Sequence, residues 1–311
     1  MNKAKRTYIS YFLRNIPRAL KIRLFHKSGK TSRFAGQKGI SLAQTEQELI
    51  RLIESGKPFA ALRVGGMEMC ALNGYEKIRF GFAKTYKESV RYTMKTNAGY
   101  YPCDDASLNA YAECLLPKLK ETDLLGISGY HMEDYFLKTY CGCAKAGLYL
   151  GFEPLLTHYS PALKGKKVLV VSPFTEEIAS QYARRELLFP RGSDILPEFE
   201  LKLLKAPLTQ GDVVPEKSSL EELDEMERKM AEIDFDIALI GAGVYGNFLA
   251  LHAKSLGKQA IQTGGATMTL FGIIGKRWQT RKHVSQYFNE YWIHPFTTIP
   301  GYQKIDEGAY W

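Results

Sequence analysis

Two glycine-rich turns late in the sequence combine residue types that bind phosphate. An apolar run at residues 237–240 meets the first turn, and a helical pattern follows it. Free amides at a helix N-terminus favour an anion. A second short strand, at residues 259–262, leads into another glycine turn, and turns at neighbouring strand ends form one crevice. The candidate ligand-binding residues are Gly241, Gly243, Tyr245 and Gly246 in the first turn, and Gly264, Gly265 and Thr267 in the second.

The first turn is close to a dinucleotide-binding fingerprint but lacks one part of it. Such sites place an acidic residue at the end of the next strand, where it holds a ribose hydroxyl. Gln262 occupies that position, and only about 50 residues follow. The pattern therefore argues against NAD. It leaves a phosphate-bearing ligand of another kind, or purely structural glycines.

A third turn, at residues 63–68, places a cation, two glycines and a carboxylate at the end of a short buried strand. Gly65 and Gly66 let the backbone approach a ligand closely. Arg63 suits phosphate, and Glu68 suits a metal ion or the role of a base. The alternative is a helix start with Glu68 in its first turn.

Further candidates lie beside other strand ends. Ser172, Phe174 and Gln181 follow the strand at residues 167–172 and are expected to line the neighbouring pocket. Lys276 and Arg277 suit a diphosphate, and Trp278 suits stacking on a base or sugar. The alternative is a surface basic pair beside a packed tryptophan.

A weaker metal candidate is the polar stretch from His131 to Asp134. A zinc site normally needs further ligands such as a second histidine at helical spacing. None follows, so a polar helix start is favoured there.

The elements that must position these residues alternate between strand and helix patterns. This alternation predicts an α/β fold with a mostly parallel sheet and helices on both faces. Ser41 is expected to cap the first helix of the body, Asp105 or Ser107 a later one, and Ser218 with Glu221 forms a capping box. Strands are expected at residues 59–64, 124–128, 167–172, 199–205, 237–240 and 259–262, and helix and loop at residues 132–150.

The positive charge of the chain is concentrated at its start. The net charge is +9, and eleven of the 42 Lys and Arg lie in residues 1–45, which contain no Asp or Glu. Apolar residues from Ile9 to Leu24 recur there at helical spacing. A basic amphipathic helix suits an anionic membrane surface, and packing on the body or a partner is the alternative. If the basic helix binds a membrane surface, removal of residues 1–30 is expected to leave the body folded.

Other function classes are disfavoured by composition. No run reaches the roughly 18 apolar residues of a membrane span, and the apolar segment lacks a signal-peptide cleavage site. Basic and aromatic residues do not alternate through the body, which argues against nucleic acid. Five scattered cysteines fit a reducing compartment. Nucleophile-elbow, kinase and phosphate-loop motifs are absent.

Four motifs together carry a family resemblance over roughly residues 46–280. They are residues 63–68, Asn97 with the three residues after it, Ser172-Pro-Phe with Gln181, and residues 264–278. In this combination the chain resembles the bacterial glycosyltransferases of the GT-D fold that are encoded with capsule and envelope polysaccharide genes. The GT-D pattern has an Arg-x-Gly-Asp-Gly-Glu turn. Arg63, Gly65 and Glu68 match it, whereas Gly66 replaces the Asp and Met67 the second Gly.

The resemblance implies a domain, residues 46–311, that transfers a sugar from a nucleotide-sugar to a glycan or lipid-linked acceptor. It also implies Mn²⁺ or Mg²⁺ at the nucleotide, with Glu68 as the remaining ligand. One carboxylate is a poor cation site, so Lys276 or Arg277 could supply charge for the leaving diphosphate. With residues 1–45 as a basic arm, the expected location is cytoplasmic, peripheral at the inner face of the membrane.

Two other functions remain open on the sequence. A nucleotide-binding regulatory or scaffold protein without transferase activity is compatible with the missing Asp. An oxidoreductase or methyltransferase built on the Gly241 turn is a third possibility, against which Gln262 speaks.

Overall fold

The computed structural model describes residues 2–25, 33–129 and 132–311, and side chains in the first helix only as far as Pro17. Its centre is a seven-stranded parallel sheet with helices on both faces. The predicted fold class is therefore confirmed. A two-residue hairpin, β1 (Arg33–Phe34) and β2 (Gln37–Lys38), lies apart from the sheet.

The sheet brings strands that are distant in sequence next to each other. Its order is β5-β4-β3-β9-β8-β6-β7, and every pairing is parallel. All the carboxyl ends consequently meet at one edge. The strands are β3 (Phe59–Leu62), β4 (Leu124–Ile127), β5 (Lys145–Leu148), β6 (Lys167–Ser172), β7 (Glu200–Lys205), β8 (Ile237–Ile240) and β9 (Gln259–Gln262).

Twelve α-helices are described. They are α1 (Lys3–Phe25), α2 (Leu42–Glu54), α3 (Gly66–Arg79), α4 (Glu88–Thr93), α5 (Asp105–Leu115), α6 (Glu133–Tyr140), α7 (Thr175–Tyr182), α8 (Ser219–Ala231), α9 (Gly246–Ser255), α10 (Thr267–Leu270), α11 (Lys276–Gln279) and α12 (Lys282–Ser285). A π-helical turn spans Met94–Ala98. Short 3₁₀ turns span Lys118–Glu121, Tyr149–Phe152, Ser160–Leu163, Arg185–Leu187, Gly243–Tyr245, Gly264–Ala266 and Tyr302–Lys304.

Alternate residues of each strand enter one of two apolar cores. Ala60 and Leu62 of β3 pack on one side, with buried residues of α3, α5, α6, α8 and α9. Phe59 and Ala61 pack on the other, with buried residues of α2, α7, α10 and α11. Strands buried on both faces explain the continuous apolar runs in the sequence.

Several local predictions hold, and two need correction. Ser41 caps α2, and Ser218 with Glu221 forms the capping box of α8. Asp104, rather than Asp105 or Ser107, caps α5, because its carboxylate accepts the Ser107 N–H. Strand β5 was not predicted. Its Lys-Ala-Gly-Leu sequence has little strand character and is held by pairing with β4.

The basic segment forms the predicted helix, and the first half of that helix packs on the body. Tyr8 is buried, and its hydroxyl donates to Asn73 Oδ1 at 2.7 Å. Asn15 is also buried and donates to Asp134 Oδ1 at 2.8 Å. Because Tyr8 belongs to the core, removal of residues 1–30 is expected to destabilise the body, contrary to the sequence-based expectation.

None of the described helices is both long enough and apolar enough to cross a membrane.

The weaker metal candidate, the stretch from His131 to Asp134, is described only in part. His131 lies outside the described residues, and the Glu133 carboxylate accepts from the Ser128 and Gly129 amides.

Candidate functional site

A cavity of about 770 Å³ opens at the carboxyl edge of the sheet. Residues that end or follow every one of the seven parallel strands line it, as expected for a ligand site in this class of fold. One such residue per strand, in chain order, is Glu68, Gly129, Tyr149, Phe174, Gln210, Gly243 and Gly265.

The glycine turns after β8 and β9 meet at the cavity, as the sequence predicts. A Cβ atom on Gly241 would lie 2.6 Å from the carbonyl oxygen of Gly264 and 2.6 Å from Thr267 Oγ1. Thr267 itself donates to the Gly264 carbonyl oxygen at 2.7 Å. Only a residue without a side chain allows this approach, so Gly241 is needed to bring the two turns into one crevice.

Arg63 is a buried cation at the same edge. Its backbone N–H donates to Gln262 Oε1 at 2.6 Å, and its Nη1 donates to the Thr263 carbonyl oxygen at 2.7 Å. The guanidinium lies 3.9 Å from the centre of the Tyr149 ring. Within the described part of the chain it has no carboxylate partner, and its Nε has no hydrogen bond. A buried charge without a counterion is costly, so a bound anion is the natural complement.

Glu68 lies in the first turn of α3 and also lines the cavity. Its side chain folds back so closely over Gly65 that a Cβ there would lie 2.3 Å from Oε2. Burial raises the pKa of the Glu68 carboxyl, and a hydrogen bond from its own backbone N–H opposes this effect. A carboxylate with a raised pKa accepts a proton more readily than an exposed one.

The C-terminal segment supplies one wall of the cavity. Arg277 forms an ion pair with Asp306, and its guanidinium lies 5.1 Å from the centre of the Tyr310 ring. Trp278 is only 1% exposed and packs 6.0 Å from Tyr310. This burial leaves no free indole face for stacking on a base. Tyr310 and Trp311 are partly exposed and line the cavity instead.

Other predicted residues also line the cavity. Ser172 ends β6, and its hydroxyl accepts the Phe174 N–H at 3.2 Å. Phe174 packs against Trp311 at a ring distance of 6.0 Å. Asn97, in the π-helical turn, accepts the Asp306 N–H at 3.3 Å. Gly66 and Gly264 complete the predicted set at the cavity.

Four predicted residues lie outside the cavity lining. Gln181 is fully buried and donates to the carbonyl oxygens of Gly272 and Tyr291, each at 3.0 Å. Lys276 donates to the Glu307 carbonyl oxygen at 2.9 Å. The Tyr245 hydroxyl contacts Ser219 Oγ at 3.4 Å, and Gly246 begins α9. Their contacts are those of structural residues.

Sequence reasoning missed several cavity residues. Glu153 is buried beside the cavity and accepts from Arg281 at 3.2 Å and from His283 at 3.1 Å. Tyr149, Gln210 and Tyr310 were missed as well. They lie on a short unpredicted element, a loop and an aperiodic tail, where no spacing pattern signals a site.

Three buried polar atoms at this cavity have no hydrogen bond among the described residues. They are Arg63 Nε, Gln210 Oε1 and Trp278 Nε1, and atoms of this kind also occur elsewhere in the described structure. Buried polar atoms are nearly always paired in native proteins. Two donors and one acceptor left open at one cavity are therefore consistent with a polar ligand.

The acidic groups at the cavity do not fit a divalent cation. Glu153 is engaged by Arg281 and His283, and Asp306 by Arg277. Among residues 2–25, 33–129 and 132–311, no group of three or more His, Cys, Asp or Glu side chains is placed to share an ion. Magnesium and manganese require several oxygen ligands. Glu68 alone does not provide such a set.

Comparison with known proteins identifies part of the chain. Residues 156–270, which include β6 to β9 and both glycine turns, match the family model of the GT-D fold-like domain. This stretch resembles a GT-D fold-like domain. The resemblance seen in the sequence is thereby confirmed for residues 156–270, which supports a glycosyltransferase-type fold there.

Two further comparisons accompany the GT-D-like match. A solved structure described as selenomethionine-substituted domain of unknown function 1792 is 15% identical, over 73% of this chain and 83% of its own, with a TM-score of 0.39. A TM-score at that level does not by itself establish a shared fold. No curated protein matches the chain.

Proposed function

We propose that the protein is a glycosyltransferase that uses a nucleotide-sugar donor and a glycan or lipid-linked acceptor in cell-surface polysaccharide assembly. The observation that carries this proposal is the buried guanidinium of Arg63, which has no carboxylate partner among the described residues and belongs to a residue that lines the cavity at the sheet edge. A diphosphate supplies the missing negative charge, and arginine binds phosphate through two parallel hydrogen bonds.

The donor diphosphate is placed between Arg63 and the glycine turns after β8 and β9. Gly264 approaches the Arg63 guanidinium, since a Cβ there would lie 3.9 Å from Arg63 Cζ. Arg277 lines the same cavity beside Tyr310. Two arginines stabilise the leaving nucleoside diphosphate electrostatically, in the role that a cation has in other transferases.

The chemical step follows from this placement. An acceptor hydroxyl oxygen forms a bond to the anomeric carbon, the bond from that carbon to the phosphate oxygen breaks, and the diphosphate leaves with the electron pair. Glu68 takes the hydroxyl proton. Its raised pKa strengthens it as a base.

The first experiment is a thermal-shift panel of nucleoside diphosphates and nucleotide-sugars, with and without manganese. Wild-type protein is expected to be stabilised by one nucleotide class, because a ligand that binds only the native state raises the melting temperature. Arg63→Met is expected to abolish this shift. The apo variant should melt close to wild type, because removal of a buried charge without a carboxylate partner offsets the lost hydrogen bond to the Thr263 carbonyl oxygen.

Arg228→Ala, on an exposed position of α8, is the matched control and should retain the nucleotide shift. An unchanged nucleotide response in Arg63→Met would contradict the proposed diphosphate site. A complete lack of stabilisation by any nucleotide would remove the basis for the transferase proposal.

A second candidate function is nucleotide binding without transfer. It is favoured by Gly66, which stands where the GT-D pattern has an Asp, and by the lack of an acidic cluster in the described residues. Release of nucleoside diphosphate from a nucleotide-sugar, measured by chromatography, separates the two. Binding with no release in the presence of glycan and lipid-linked acceptors supports the non-catalytic function.

A further inference from the structure

Helix α1 has one face that packs on the body. Tyr8 is enclosed by Phe80, Phe82 and Tyr135, with ring distances of 5.3, 5.9 and 5.2 Å. Its hydroxyl and the Asn15 amide anchor the helix to α3 and α6. Because buried aromatic contacts and hydrogen bonds both restrain it, this half of α1 is a rigid part of the molecule.

Outside its packed face, α1 exposes apolar side chains. Leu13 is 59% exposed and Ile16 is 37% exposed. Phe82, in the turn after α3, is 50% exposed and stacks beside Tyr8. Large apolar side chains exposed on one helix and on the turn that packs against it indicate an interaction site.

Cations lie on the same helix and beside Phe82. Lys5 Nζ lies 4.9 Å from the centre of the Phe82 ring, and the Arg14 guanidinium lies 5.0 Å from that of Tyr11. Arg6 and Lys84 are also exposed. None of these four cations is in an ion pair with another described residue. An apolar strip flanked by unneutralised cations has the chemistry of a helix that lies on anionic lipid headgroups.

The packed face connects α1 to the rim of the cavity. Asn15 binds Asp134, and the adjacent Glu133 carboxylate accepts from Ser128 at 3.0 Å and from Gly129 at 2.7 Å. Ser128 and Gly129 line the cavity. A binding partner in contact with α1 is therefore also close to the side of the cavity formed by the residues that follow β4.

We propose that Arg6, Leu13, Arg14, Ile16 and Phe82, termed the α1 surface, seat the protein on an anionic bilayer. The apolar side chains enter the interface and the cations contact the headgroups. As a consequence that rests on the proposed function, the cavity is held at the membrane, and the acceptor is a lipid-linked one that enters from the β4 side.

The test is sedimentation of full-length protein with vesicles of phosphatidylcholine alone or mixed equally with phosphatidylglycerol. Wild type should bind the mixed vesicles and should not bind vesicles of phosphatidylcholine alone. Added salt should weaken binding to the mixed vesicles. Arg14→Ala should lower the affinity about fivefold. The double variant Leu13→Ser with Ile16→Ser should lower it about tenfold or more.

Val214→Ser and Phe296→Ser are the matched controls, because these residues are 71% and 59% exposed and lie outside the α1 surface. They should bind as wild type does. All variants should melt close to wild type, since each substituted side chain is more than one-third exposed. Unaltered binding by the double variant, or equal binding to both vesicle types, would overturn the proposal.

The same samples separate this proposal from the proposed function. A nucleotide-induced thermal shift without vesicle binding rejects the membrane surface and leaves the nucleotide site intact. Vesicle binding without any nucleotide response supports the α1 surface and rejects the nucleotide site. If wild type ignores vesicles but forms a dimer that the double variant does not, the α1 surface binds a second copy, and the membrane proposal is wrong.

Discussion

At the scale of single residues, the site depends on two buried ionisable groups, one basic and one acidic. Arg63 is a buried cation without a carboxylate partner in the described structure, whereas Glu68 is a buried carboxyl whose pKa is raised by desolvation. A cation without a carboxylate partner and a carboxyl whose charged form is disfavoured by burial both bias the cavity towards an anion. Both residues were predicted from one short turn, although the side chains that surround them were not.

The raised pKa of Glu68 predicts a pH-dependent difference in stability between wild type and Glu68→Gln. Above the ordinary value of 4.5 the unfolded chain loses this proton while the folded protein retains it. Wild-type stability therefore falls relative to the variant as pH rises through that window, by at most about 1.4 kcal/mol per pH unit. Urea unfolding from about pH 5 to about pH 8 measures the difference.

Glu216→Gln is the control for this experiment, because Glu216 is exposed and its substitution should give no such trend. If wild type and Glu68→Gln keep a constant difference in unfolding free energy across the range, the raised pKa is refuted. A growing advantage of wild type with pH would indicate a carboxylate stabilised in the folded state.

At the scale of elements, α1 shows that a charge pattern can predict a basic helix without showing which of its faces packs on the body. The spacing of apolar residues predicts the helix, and the excess of Lys and Arg predicts its basic character. Neither shows that Tyr8 and Asn15 face the body. That depends on partners in α3 and α6, which are distant in sequence.

The docking of α1 predicts that Tyr8→Ala is strongly destabilising. The substitution removes a buried ring from an aromatic cluster and leaves Asn73 without its hydroxyl partner. A loss of about 3 to 5 kcal/mol in unfolding free energy is expected, measured by urea denaturation. Tyr92→Ala, at a 56% exposed position, should change stability little. Equal effects of the two variants would show that α1 contributes nothing to the fold.

At the scale of the whole molecule, the C-terminal segment closes a cavity that the sheet alone leaves open. Fully buried Glu177 on α7 accepts the backbone N–H groups of Phe296 and Thr297 at 3.2 and 2.9 Å. Trp311 then donates from its indole to the Thr297 carbonyl oxygen at 2.7 Å and packs on Phe174. The shape of the site thus depends on how the tail is attached.

This attachment predicts that Glu177→Ala weakens both the fold and the site. Two backbone amides lose a charged acceptor, which costs about 3 kcal/mol of unfolding free energy. The concentration of nucleotide needed for half the thermal shift should rise, because the wall of Tyr310 and Trp311 is loosened. Denaturation and nucleotide titration give the two values, with Glu186→Ala, whose side chain is 82% exposed, as control. A destabilised variant with wild-type nucleotide response would show that the tail has no role in binding.

The amino-acid sequence by itself determined the class of fold and much of the sheet edge. Buried strands appear in the sequence as apolar runs, and helix caps and glycine turns depend on residues a few positions apart. For this reason β8, β9 and the turn that contains Arg63 can be recognised from the sequence. The GT-D resemblance arises from the same short motifs, and the family match at residues 156–270 confirms it.

Only the tertiary structure decided which residues share the cavity. The guanidinium of Arg63 bonds to a carbonyl 200 positions away, and that contact follows from the placement of β9 beside β3. The tertiary structure also decided the strand order, the pairing of β5 with β4 and the attachment of the tail. These depend on contacts between segments distant in sequence, so no periodic pattern in the sequence predicts them. For this reason Gln181 and Lys276 were placed at the site although they lie outside it, and Tyr149, Glu153 and Tyr310 were missed.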